Sequence, residues 1–98
     1  MDLTFASRQL ERCYTDEVEA ARTWGPQVGR RYIERVTLLY KVRSLQELMT
    51  FRALRLHPLK GDRANQWAMM LQGRWRLIVE LQDARTLVIR EVTNHYGD

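Results

Sequence analysis

Apolar positions recur at two different spacings along this chain. Asp2 to Ala6 reads as a short strand. From Ser7 the spacing becomes helical, with Leu10, Tyr14, Val18 and Ala21 on one side and Ser7 as a reasonable N-cap. Thr15-Asp16-Glu17 can open a separate helical segment, because acids in a first turn oppose the helix dipole. Trp24-Gly25-Pro26 punctuates the run: Gly25 can end one helix and Pro26 begin the next. Val28, Tyr32, Val36, Leu39 and Tyr40 then form an apolar stripe, with Arg30, Arg31, Glu34, Arg35 and Lys41 mostly off it. That is an amphipathic helix of about four turns. Ser44 to Met49 adds a further helical turn.

After Phe51 the period changes. Ala53 to His57 reads as a strand stopped by Pro58, and Lys60 to Gln66 as a polar loop. Trp67–Leu71 and Trp75–Gln82 read as a hairpin turning at Gln72-Gly73. In its second strand Trp75, Leu77, Val79 and Leu81 alternate with Arg76, Ile78, Glu80 and Gln82. Asp83-Ala84-Arg85 turns into a last strand, Thr86 to Val92. The expected fold class is α+β: two N-terminal helices packed on a mainly antiparallel sheet of about four strands, in a single domain spanning residues 1–98.

Composition sharpens this picture. Apolar residues make up 45% and charged residues 29%, which fits a globular chain rather than a disordered one. The apolar runs are too short for a membrane span, and the first residues lack a basic and then apolar leader. The single cysteine, Cys13, reads as packing; it cannot form an internal disulfide, so a reducing, cytoplasmic location is expected. No metal or other cofactor is expected, because two histidines and one cysteine form none of the usual ligand motifs. The formal charge is +4. Between residues 52 and 76, Arg52, Arg55, Lys60, Arg63, Arg74 and Arg76 face Asp62 alone. Such a stretch suits a polyanionic partner, either a nucleic acid or an acidic protein, and equally reads as a solvated basic surface.

The chemistry-bearing residues fall in four places: the loop Leu56 to Arg63, the segment Gly73 to Ile78, Trp67, and Asn94-His95-Tyr96. Together, His57-Pro58-Leu59-Lys60-Gly61-Asp62-Arg63, Gln66-Trp67, Gly73-Arg74-Trp75-Arg76-Leu77-Ile78, Glu91-Val92 and His95-Tyr96-Gly97 resemble a HigB-type toxin of the RelE/ParE toxin–antitoxin superfamily. The resemblance covers Leu56 to Asp98; the helical half matches only in layout. It implies a RelE-like fold and a toxin that cuts messenger RNA on the ribosome without a metal. It also implies a cognate antitoxin, often a helix-turn-helix protein. In that chemistry a ribose 2′-OH attacks the adjacent phosphate, so a base, an acid and cations are required. Arg76 is then the expected phosphate holder, with Lys60, Arg63 and Arg74 as RNA contacts. His95, Tyr96 and His57 are the acid–base candidates. The chain departs from the family ending: where many members carry Asp-Tyr-His, it has Asn94-His95-Tyr96.

Plainer readings stand beside these. His57 can contact a backbone carbonyl, residues 60–63 can be a solvated turn with a local ion pair, and Arg76 can pair with Glu80 or Glu91. His95-Tyr96 can be an ordinary tail. Trp67 and Trp75 can be core, and Arg30, Arg31 and Arg35 a solvated helix face. At the level of function, the rivals are a non-catalytic, ParE-like inhibitor of DNA gyrase and an inactive homologue that only binds its antitoxin.

Overall fold

The computed structural model describes residues 1–94. Its elements run β1 (Asp2–Phe5), α1 (Arg8–Thr15), α2 (Glu17–Trp24), α3 (Pro26–Lys41), α4 (Leu45–Met49), β2 (His57–Pro58), β3 (Gln66–Gln72), β4 (Trp75–Asp83) and β5 (Thr86–Thr93). The five strands form one sheet in the order β1-β5-β4-β3-β2; β1 pairs parallel with β5 and every other pair is antiparallel. The α+β expectation therefore holds; the sheet has five strands rather than about four, and the segments read as opening at Asp16 and at Ser44 are helices of their own beside the expected two.

The helix boundaries have local causes. Asp16 is extended and its carboxylate accepts from the Val18 and Glu19 amides, so it caps α2 and breaks what would be one long first helix. Ser7 and Ser44 cap α1 and α4 in the same way. The stretch expected as a strand at Ala53–His57 instead makes a 3₁₀ turn at Arg52–Leu54, and Arg55 adopts the left-handed conformation (φ 49°). Only His57 and Pro58 join the sheet, at its edge, where a missing proline N–H costs no ladder bond. The β3–β4 turn is Gly73-Arg74 rather than Gln72-Gly73, because Gln72 pairs with Trp75. Gly73 takes φ 57° at the first central position, which a two-residue hairpin loop reserves for glycine.

The helices cover one sheet face. Tyr32, Val36 and Leu39 of α3 share a fully buried cluster with Met69, Leu77, Val79, Leu87 and Ile89 from the strands. Trp67 and Trp75 pack against this cluster, as the core reading of them expected. Helices α2 and α3 cross closely at Gly29, where an added Cβ would lie 2.8 Å from the Ala20 carbonyl carbon. The Tyr32 hydroxyl donates to the Leu10 carbonyl at 2.6 Å and ties α1 to α3. Burial, and then Cys13 nearby, drive the Tyr32 pKa far above its ordinary value.

Candidate active site on the open sheet face

The other face of the sheet carries the candidate chemistry. Strand register places it there, since cross-strand partners share a face and so do residues two apart. His57 pairs with Ala68, Ala68 with Ile78, and Ile78 with Glu91, forming one row. The next row is Met70, Arg76 and Thr93. Leu59, Ala68 and Ile78 form a small buried cluster on this side. The face is thus a thin apolar floor bordered by polar side chains.

Arg76 is 9% exposed and is the one buried charged residue among those described. Its guanidinium donates to the carbonyls of Gly73 (2.7 Å) and Trp75 (3.1 Å), which anchors it at the hairpin end of the face. The carboxylates offered to it by the sequence are engaged elsewhere: Glu80 with Arg90 at 3.5 Å, and Glu91 with Arg63 at 2.8 Å. Arg63 also donates from Nε to Gln66 Oε1 at 2.9 Å. The ion pair expected within residues 60–63 is therefore made to β5, and it holds the loop over the sheet.

His57 lies one row from Arg76 and two strand spacings away, about 10 Å laterally. Its Nδ1 sits 2.9 Å from the Arg55 carbonyl oxygen. A carbonyl only accepts, so in the neutral ring Nδ1 carries the proton and Nε2 is the basic nitrogen. The carbonyl contact expected of His57 is real, and it selects a tautomer suited to a base.

The structure brings His57, Arg63 and Arg76 to one face. It does not bring Lys60 and Arg74 together: they flank opposite ends of β3, roughly 20 Å apart along the strand, and both are exposed. His95 and Tyr96 lie outside the described residues; they follow Thr93, the cross-strand partner of Arg76, by two and three positions. Among the described residues no three His, Cys, Asp or Glu side chains gather as metal ligands. No described helix is long and apolar enough to cross a membrane.

Glu91, Gln66 and Thr93 belong to this face, and none of them was among the expected site residues. Counting alternately from Leu87 and Ile89 puts Glu91 on the covered side. Ile78 pairs with Glu91 but Val79 with Ile89, so Arg90 is an extra residue in β5 and the bulge turns Glu91 over. A charged pair of residues breaking the alternation at Arg90-Glu91 was the one available signal.

No family model matches the chain, and no curated protein matches it in sequence. Solved structures do match. YafQ from E. coli aligns at TM-score 0.62 and 17% identity, over 96% of this chain and 92% of that one. The E. coli DinJ-YafQ toxin–antitoxin complex aligns at 0.62 and 21%, over 96% and 91%. A YoeB/ParE toxin from Agrobacterium tumefaciens aligns at 0.60 and 16%, over 98% and 100%. With helices on one face, an open opposite face and this strand order, the chain has the RelE-like fold of these toxin structures.

Proposed function

We propose that the protein is the toxin of a type II toxin–antitoxin pair, acting as a ribosome-dependent messenger RNA endoribonuclease of the HigB type. The observation that carries this reading is the open face, where a buried arginine, a histidine in a basic tautomer and a loop arginine share one apolar floor. The fold likeness to toxin structures supports the toxin assignment, and the DinJ-YafQ complex supports a cognate antitoxin as partner. Action on ribosomes places the protein in the cytoplasm.

In this reading O2′ of the substrate attacks phosphorus and its proton passes to a base, either His57 Nε2 or the His95 ring. The P–O5′ bond breaks, and an acid, Tyr96 or a protonated histidine, gives the leaving O5′ its proton. The products are a 2′,3′-cyclic phosphate and a 5′-hydroxyl. Arg76 balances the charge that builds on the phosphorane oxygens, the largest single contribution available without a metal. Arg63, Lys60 and Arg74 hold flanking phosphates, and the ribosome orients the strand.

The test is controlled expression followed by mapping of messenger 5′ ends on ribosomes. Wild-type protein should create new ends within translated codons. Arg76→Lys keeps the charge but loses the forked guanidinium, and should lower cleavage by at least about 100-fold. Growth arrest without new ends, together with DNA-damage induction, would replace this reading with gyrase inhibition. Absence of arrest with folded protein present would leave an antitoxin-binding homologue.

A further inference from the structure

A second feature lies on the opposite side of the β3–β4 hairpin. Gly73, whose carbonyl receives Arg76, also lines an open groove of about 840 Å³ between the hairpin tip and the α2–α3 corner. Its walls include Trp24, Trp75, Gln27, Gln72, Arg74 and Asn94. That volume is in the range of small-ligand sites, and the lining combines indole surface with amides that can hydrogen-bond a base edge. Gln72 reaches this side because β3 bulges between Met70 and Gln72, pairing Gln72 with Trp75. There its amide donates to the Gln27 side chain.

That amide bridge is shared with a second cleft of about 520 Å³, walled by Arg30, Arg31 and Glu34. Arg30 and Arg31 are exposed, and the Arg31–Glu34 contact is a loose 3.6 Å pair between half-exposed side chains. Beside them Arg35 donates to the Met70 carbonyl, and burial followed by repulsion from Arg31 lowers its pKa. Arg74, the two tryptophans, the amide bridge and the α3 arginines thus form one seam. It begins where Arg76 is anchored.

We propose that this seam binds single-stranded RNA, with one nucleobase in the groove against the Trp24 and Trp75 indoles and neighbouring phosphates on Arg74, Arg30 and Arg31. The substrate class rests on the ribonuclease reading, and the seam adds a base-binding subsite outside the open face. An acidic peptide would use the same arginines. RNA in addition places a flat base against the indoles and its hydrogen-bonding edge on the amides of a nucleotide-sized groove, so it engages every part of the lining.

The test uses the full chain and a fluorescein-labelled hexanucleotide bearing 2′-O-methyl groups, which has no nucleophile to be cut. Binding should quench tryptophan fluorescence. Arg30→Glu/Arg31→Glu should weaken affinity by tenfold or more and flatten the log–log salt slope by about 1.4, the single-strand value for two phosphates. Arg30→Lys/Arg31→Lys should restore both, and Gln27→Glu should weaken binding by about fivefold. Unchanged affinity and slope in the charge-reversed protein would overturn the proposal. So would a deca-glutamate peptide that binds as tightly as the RNA while neither quenches tryptophan. Crosslinks from 4-thiouridine, in messenger or in ribosomal RNA, would tell which strand occupies the seam. Ribosomal cleavage separates the two readings. Cleavage at unchanged codons and efficiency by the charge-reversed protein would remove the seam and keep the nuclease. No cleavage by wild-type protein, with RNA binding still sensitive to charge reversal, would do the opposite.

Discussion

The two faces of the sheet are built from the same strands and solve different problems. On the covered face, Leu77, Val79, Leu87 and Ile89 are fully buried and belong to the large apolar cluster shared with α3. On the open face, Ile78 and Ala68 are just as buried, yet among the described residues their buried apolar cluster adds only Leu59, and charged groups border them. One face supplies most of the folding free energy through apolar burial. The other has a floor just large enough to keep Arg76 and His57 in place. A sheet closed on one side can carry a largely buried cation on the other at reduced cost to the fold, because its Nη1 donates to carbonyls of its own hairpin.

This contrast can be broken most sharply on the covered side. Leu77→Ala should lower stability by about 4 kcal/mol in chemical denaturation, through lost transfer free energy and the cavity left under α3. Gly29→Ala should cost about 2 kcal/mol, since its Cβ meets the Ala20 backbone and α2 must shift away from α3. Its denaturation midpoint should fall with the slope unchanged.

Tyr32 offers a pH-dependent test of the same layer. Its folded pKa is raised above the ordinary 10.0, first by burial, so the neutral form is favoured in the fold. The associated stability is present below pH 10 and is lost as pH rises beyond it, at about 1.4 kcal/mol per unit. Tyr32→Phe should cost about 1 kcal/mol at pH 7 and should lose less stability than wild type at pH 11, read as the difference in denaturation midpoints.

The smallest effect belongs to the open face. Glu91→Gln removes the carboxylate from a pair whose side chains are 39% and 47% exposed. It should cost about 0.5 kcal/mol or less at low salt and nothing measurable at 1 M salt. A loss as large as that of Leu77→Ala would contradict the division of labour between the faces.

Much of the fold is legible along the chain. The α3 stripe from Val28 to Leu39, the Ser7 cap and the alternation in β4 each follow from a local rule, and each is where the pattern puts it; Tyr40, read as the end of the stripe, is exposed instead. The β4 alternation also placed Arg76 opposite Leu77 and Val79. What failed were features that depend on partners distant in sequence. Ala53–Arg55 has ordinary strand-like composition, yet Leu54 is drawn into the core by a 3₁₀ turn. Glu91 and Gln72 reached their sides through bulges, which shift a strand by one residue and leave little trace in its residue types.

Sequence alone dictated the helices and strands outside Ala53–His57, the caps at Ser7 and Asp16, and that the second half carries a concentrated positive charge. Those are properties of neighbours along the chain: side-chain period, capping hydroxyls and carboxylates, fixed φ at proline. Tertiary structure decided which cations share a face, that Arg63 pairs with Glu91 rather than within its own loop, and that two tryptophans and two glutamines from distant segments line one groove. The reason is geometric. Each of these depends on strand order, register and bulges, which are set when the sheet closes under α3 and are not encoded in any single local run of residues.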